Sequence, residues 1–209
     1  MQSRNTPMSP SAIILAGGHS TRMGRDKALI EVEGVPLLQR MGAIAHSCCS
    51  SVFVVTPWPD RYAALLPDSQ FVSEVPLPGE TEPHGPLVGF LQGLERAAAQ
   101  QPTDQQPTEW TLLLACDLPR LQAAEVQQWA TQLEAVQPEA IAYLPRDQQG
   151  WQPLCGFYRL SSLPLLRDFV QAGGRSFQQW LAQHTVAEIP AVDFAHLFNC
   201  NTPDDLMHL

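Results

Sequence analysis

Between Leu15 and Leu29 the chain reads LAGGHSTRMGRDKAL, in which two adjacent glycines are followed by Arg22, Arg25 and Lys27. A plain surface turn needs one or two glycines and no cluster of cations. The stretch therefore reads as a place where backbone closely approaches an anion. Backbone N–H groups at Ala16, Gly17 and Gly18 can form a nest for phosphate oxygens, and Arg22 and Lys27 supply positive charge where negative charge develops. The other reading is a glycine-rich turn with a solvated basic face, which an acidic chain of net charge −9 disfavours. Neither G-x-G-x-x-G nor a Walker G-K-S/T is present, so the common dinucleotide and P-loop readings do not apply.

The second chemical feature is LLLACDLPRL, where an apolar run delivers Asp117 to the end of a predicted strand. One carboxylate plus substrate phosphates is the usual way a protein holds Mg2+. An aspartate at this place can equally cap the helix predicted over LPRLQAAEVQQW, and the residue pattern leaves both roles open.

The elements that must carry these groups alternate. SAIIL is a strand, VPLLQRMGAIAHSC a helix with Pro36 at its start, SVFVVT a strand and QFVSEV another. After the proline-rich loop PLPGETEPHG come the helix GPLVGFLQGLERAAAQ, a polar connector over 100–108 and the strand in EWTLLLACD. Continuous apolar runs such as SVFVVT belong to parallel sheets covered on both faces. The order β-α-β-(α)-β-α-β predicts a doubly wound α/β fold that binds its ligand at the carboxyl ends of the strands. The later half is less regular: a helix over Leu121 to Val136, a strand at AIAYLP, an apolar PLCGFYRL, two short helices around LPLLRDFVQAG and SFQQWLAQH, and a closing FNCNTPDDL. Residues 1–10 are expected to be disordered and 11–209 to form one domain.

Composition excludes broad classes. The chain has 209 residues, 44% of them hydrophobic and 16% charged, which is ordinary for a globular protein. An acidic surface argues against nucleic-acid and anionic-membrane partners. No apolar run approaches the roughly 20 residues of a membrane span, and MQSRNTPMSP lacks a signal peptide's apolar region, so a cytoplasmic location is expected. Five cysteines in no C-x-x-C pair read as reduced packing residues, the vicinal Cys48 and Cys49 included; six scattered histidines suggest no metal cluster, and five tryptophans form no stacking stripe.

Taken together, IILAGGHSTRMGRDKALIEVEGVPLLQR, GPLVGFLQGL, LLLACDLPRL and FNCNTPDDL resemble the molybdenum cofactor guanylyltransferase family, over nearly the whole chain and in the family's order. The resemblance implies a Rossmann-like three-layer nucleotidyltransferase fold, akin to the nucleotide-diphospho-sugar transferases, with a mostly parallel central sheet. It also implies transfer of GMP from GTP to molybdenum-bound molybdopterin with release of pyrophosphate. Carried over residue by residue, Leu15, Ala16 and Gly17 would line the GTP site and Lys27 would contact its phosphates. Asp117 would ligate Mg2+ and meet GTP, Gly85 and Pro86 would lie near the nucleotide, and Asn199 and Asn201 match the family's N-x-N-T-P. The chain departs from the family at Val55 and Thr56, where relatives often carry Asn and no role is transferred. It departs again at Glu74, where they carry Asp, which weakens any role for Glu74. The lysine of sugar-phosphate nucleotidylyltransferases lies further from the glycines, and cytidylyltransferase counterparts have LAAG with no Asp before the lysine; GRDK here favours guanylyl transfer.

The reaction so implied is in-line attack by the terminal phosphate oxygen of molybdopterin on the α-phosphorus of GTP. The attacker is already an anion, so no protein nucleophile is required, and catalysis means holding two anions together and neutralising the leaving group with Mg2+, Arg22, Lys27 and the backbone nest. The nucleotide groups fall before Leu118, so the acceptor is assigned to the C-terminal half, where Gln152, Arg175, Asn199 and Asn201 are the polar candidates. FNCN reads as a strand whose alternate residues share a face, which favours Asn201 at the reacting phosphates; its other reading is a cap or turn asparagine. Cofactor-delivery proteins are further expected partners. The rivals are cytidylyl or sugar-nucleotidyl transfer on the same fold, and a catalytically inert nucleotide-binding module.

Overall fold

The computed structural model describes residues 9–17, 26–80, 85–100, 108–200 and Asp205. Strand β1 (Ser11–Leu15) leads to a hairpin of β2 (Glu31–Val32) and β3 (Val35–Pro36), then α1 (Leu37–Cys48), β4 (Ser51–Thr56), α2 (Pro59–Tyr62) and β5 (Gln70–Ser73). Next come α3 (Gly85–Ala99), β6 (Trp110–Ala115), α4 (Ala123–Ala130) and β7 (Ala142–Leu144). The chain closes with a second hairpin of β8 (Arg146–Asp147) and β9 (Gly150–Trp151), then β10 (Cys155–Arg159), α5 (Leu163–Gln171), α6 (Phe177–Leu181) and β11 (Val186–Glu188).

Seven strands form one sheet in the order β11-β7-β10-β6-β1-β4-β5. All its pairs are parallel except those of β10, which runs antiparallel between β6 and β7. Strand β1 lies between β4 and β6, with Ser11 opposite both Ser51 and Thr111. Because side chains alternate across a strand, the continuous apolar runs feed two cores. Ala12, Ile14, Val52, Val54, Leu112 and Leu114 pack with Leu38, Met41 and Ala45 of α1 and with Val126 and Trp129 of α4. Ile13, Phe53, Val55 and Leu113 pack on the other face with Leu87, Phe90, Leu91 and Leu94 of α3 and with Leu166, Phe177 and Trp180 from α5 and α6. The result is the α/β arrangement that the alternation predicts, with the three layers and mostly parallel sheet that the resemblance implies. Among the described residues no helix is long and apolar enough to cross a membrane.

Three expectations change. The helix expected over Leu121–Val136 is two pieces, because α4 ends at Ala130 and a separate single turn covers Leu133–Ala135. Phe198, Asn199 and Cys200 form no strand; the chain here is irregular, held by the Cys200 N–H donated to the Asp117 carbonyl at 3.0 Å. Of the tail expected to be disordered, residues 1–8 lie outside the described part, whereas Pro10 is buried and its carbonyl accepts from Ser50 N at 2.9 Å.

Candidate active site

The carboxyl ends of β1, β4, β5 and β6 lie side by side, and backbone pairing runs one residue past them. Ala16 N donates to Val55 O at 2.9 Å, Glu74 N to Thr56 O at 2.9 Å, and Cys116 N to Leu15 O at 3.3 Å. Gly17, Glu74 and Asp117 therefore leave one edge of the sheet, each within two residues of a strand end.

On one side of β1 stands Lys27. It opens a single 3-10 turn, Lys27–Leu29, whose N-cap is Asp26: Asp26 Oδ1 accepts from Ala28 N at 3.1 Å. The other carboxylate oxygen, Oδ2, accepts from Tyr62 Oη at 2.6 Å and Arg61 Nη1 at 2.9 Å. Lys27 Nζ lies 3.3 Å from Asp117 Oδ2, across ninety positions of sequence, with both side chains about four-fifths buried. Asp117 is fixed in turn by the Cys200 N–H on its carbonyl, and Arg40 ties the β2–β3 hairpin to the same loop by donating to Val32 O and Pro119 O. Asp117 is not the cap of α4. That place belongs to Gln122, whose N–H donates to Glu125 Oε2 at 3.3 Å, so the cap role is not the one Asp117 takes. Burial first, and the neighbouring Asp117 carboxylate second, push the Cys116 thiol up to about 12, so this neighbour stays neutral.

On the other side of β1 the wall is made by Gly17 and the start of α3. A Cβ built on Gly17 would lie 2.2 Å from Glu74 Oε2, and one on Gly89 would lie 3.5 Å from Glu74 Oε1. Glycine at 17 thus lets the Glu74 carboxylate lie against the loop that follows β1. Gly85, at φ +75°, turns the chain into α3, and it and Pro86 are exposed at the helix's positive end. Ala16 departs from its expected part in the nest, because its N–H is spent on Val55 in the sheet ladder. Gly18 and Arg22 lie outside the described residues, as does Asn201.

The C-terminal candidates divide. Asn199 is exposed and adjacent to Cys200, which contacts Asp117, so it shares the Asp117 edge. Gln152 belongs to the loop on the far side of β6, where Leu154 O accepts from Ala115 N at 2.8 Å; its amide donates to Asp147 Oδ2 at 2.7 Å. Arg175 is not brought against the Lys27–Asp117 pair by any contact described. It donates to Glu80 Oε1 at 2.9 Å and to the carbonyls of Val170 and Gly174, and so ties the loop before α3 to the α5–α6 connection.

Among the described residues no three His, Cys, Asp or Glu side chains gather as a metal cage. A single carboxylate at the edge where this fold places ligands nevertheless fits Mg2+, which takes one or two protein oxygens and fills the rest of its shell with phosphate and water. Sequence reasoning did not single out Arg61 and Tyr62, which hold Asp26, and did not place Glu74 against Gly17. The one legible signal for the first two was Asp26, an N-cap residue directly before the turn that carries Lys27.

Residues 12–188 match the model of the MobA-like NTP transferase domain. The fold is shared with the molybdopterin-guanine dinucleotide biosynthesis protein A of Archaeoglobus fulgidus, at TM-score 0.71 and 19% identity over 95% of each chain. It is shared as well with 4-diphosphocytidyl-2C-methyl-D-erythritol synthase of Anaerococcus prevotii, at TM-score 0.66 and 13% identity over 97% of this chain and 94% of that one. The protein is a nucleotidyltransferase. Sequence relatives narrow the class: one from Nostoc sp., named as a molybdenum cofactor guanylyltransferase, is 52% identical over 94% of this chain and 88% of its own. Another so named, from Pseudomonas putida, is 31% identical over 93% and 94%. The chain belongs to the molybdenum cofactor guanylyltransferase family.

Proposed function

We propose that the chain transfers GMP from GTP to molybdopterin carrying molybdenum, at the carboxyl edge of β1 and β6. The observation that carries this reading is the Lys27–Asp117 pair: two opposite charges from loops ninety positions apart meet at 3.3 Å where the fold places ligands. With no substrate each neutralises the other. With Mg2+ and GTP present, Asp117 would hold the metal and the Lys27 ammonium would turn to phosphate oxygens. Bound there, Mg2+ would neutralise charge gathering on the leaving group.

The balance of the step requires little of the protein's own chemistry. A terminal phosphate oxygen of the acceptor forms a bond to the α-phosphorus of GTP, and the bond from that phosphorus to the bridging oxygen of the β-phosphate breaks. Pyrophosphate leaves with its electron pair. The chain's contribution is position and charge: Lys27, the loop through Gly17, and the open end of α3. Glu74 offers base selection. Guanine presents its N1–H and 2-amino donors side by side, a pattern a carboxylate accepts in full and which adenine, cytosine and uracil lack. The acceptor is assigned to the Asp117–Asn199 side of β6. Release of pyrophosphate from GTP, dependent on both Mg2+ and added molybdopterin, tests the reading; turnover with CTP equal to that with GTP would overturn the guanylyl assignment.

A further inference from the structure

We infer that Tyr62 and Arg61 are positioning residues for Lys27, acting through Asp26; the inference rests on the reading of Lys27 as the phosphate contact. A 3-10 turn of three residues has no stability of its own, since nucleating a helical turn fixes several dihedrals for one hydrogen bond. Something outside the turn must hold the lysine where it is useful. Asp26 is the residue directly before it, and its carboxylate is held from both ends: Oδ1 by the turn's own Ala28 N–H, Oδ2 by the Tyr62 hydroxyl at 2.6 Å and Arg61 Nη1 at 2.9 Å. The second anchor lies on α2, the short helix that follows β4, so the turn is tied to the sheet through an element unrelated to it in sequence.

The two donors differ in kind. The Tyr62 ring is wholly buried in the core that includes Ala28, Leu38 and Met41, and packing alone would be served by phenylalanine. What the hydroxyl adds is a fixed donor aimed at a carboxylate. Burial, with the Asp26 hydrogen bond second, holds that phenol above its ordinary pKa, so it remains a neutral donor at any working pH. Arg61 is half-exposed, lies with its guanidinium 4.8 Å from the Trp58 ring centre, and brings positive charge to Asp26. This matters because a bare carboxylate beside a phosphate-binding lysine would repel the triphosphate that the lysine is there to hold. The clamp therefore fixes the direction of Lys27 and neutralises the aspartate that caps it.

A double-mutant cycle tests this. Tyr62→Phe and Arg61→Ala are each made in the parent and in Lys27→Ala, and kcat and KM for GTP are measured by pyrophosphate release well below each variant's unfolding temperature. If the clamp acts through Lys27, each change lowers kcat/KM by about tenfold in the parent. In the Lys27→Ala background each should then alter residual turnover by less than about twofold. Equal losses in both backgrounds would overturn the inference, because the residues would then act independently of the lysine. So would full activity of both single variants while Lys27→Ala is impaired. Loss for Arg61→Ala alone that persists without Lys27 would remove Arg61 from the clamp and make it a direct phosphate contact. Normal turnover by Lys27→Ala itself is the distinct result that would sink the underlying reading of the site.

Discussion

Strand β6 has a charged group at each end, and the two are held in opposite ways. At its amino end Arg159, from the neighbouring β10, lies across the Trp110 ring at 4.2 Å and pairs with Glu109. It also donates to the carbonyls of Ala140, Val136 and Gln137 at 2.9 to 3.3 Å. At the carboxyl end Asp117 meets Lys27 at 3.3 Å, long for a charged N–H···O contact. A guanidinium whose donors converge on carbonyls and a carboxylate is committed to that geometry. An ammonium–carboxylate contact of that length can be exchanged for a metal and phosphates with little rearrangement. The same strand thus supports a permanent charge where the sheet needs closure and an exchangeable one where a ligand enters.

Substitutions at the two ends should separate accordingly. The largest effect is expected for Lys27→Ala, with GMP transfer falling by roughly a hundredfold or more while the unfolding temperature stays near the parent's, as for loss of one preorganised charge. A variant that keeps its turnover would make the carboxyl-end pair as structural as the other. Asp117→Asn should cost about as much in rate and also raise the Mg2+ concentration needed for half-maximal activity, since an amide is a poor ligand for a hard cation. An unchanged Mg2+ titration would remove the metal role. Arg159→Ala reverses the pattern: stability should fall by about 2 kcal/mol, from carbonyls left without donors, while kcat of the folded fraction holds. Denaturant unfolding beside kinetics distinguishes the two. Glu74→Gln should reduce the preference for GTP over other nucleotides by about tenfold, with thermal stabilisation by each nucleotide plus Mg2+ as the readout.

The smallest effect concerns the segment behind Asp117. His196 Nδ1 lies 2.9 Å from Glu125 Oε1, and that hydrogen bond raises the imidazole's pKa above its usual 6.5. A raised pKa means stability fully present below about pH 6.5 and lost as pH rises through the folded value. The site is largely solvated, so the change should be a few tenths of a kcal/mol. Glu125→Gln, which keeps the capping geometry of α4, should flatten that dependence between pH 6 and 8. A profile unaltered by the substitution would detach His196 from Glu125.

The amino-terminal half was legible because its signals are local. Strands β1, β4 and β6 are continuous apolar runs; Asp117 stands out as a charge two residues past one of them, and Lys27 as one of the cations that follow the glycines after another. The carboxyl-terminal half was less so. Strand β10 reads like any buried strand, and nothing local in CGFYR tells that it runs antiparallel; that follows from its pairing with both β6 and β7. Hairpins of two residues a side, such as β8–β9, are too short to show periodicity. The alternation in FNCN suggested a strand, but β6 beside it is already paired on both sides, by β10 and β1, and the segment is instead pinned to Asp117. Tyr62 was hidden for another reason: a buried tyrosine looks like packing until the partner of its hydroxyl is known.

The pairing of β1 with β6 sets the order in which this protein can come into being. Ser11 stands opposite Thr111, so β1 waits for a partner made a hundred residues later. Closing a loop of that length costs about 4 kcal/mol of chain entropy before any contact across it is gained. While the chain emerges from the ribosome, β1 can join β4 early, but its other edge stays open until β6 arrives. Lys27 is likewise without Asp117 through that whole interval. A half-made chain therefore has no assembled nucleotide site, and pulse-labelled nascent chains ending before Asp117 should show no protection by GTP.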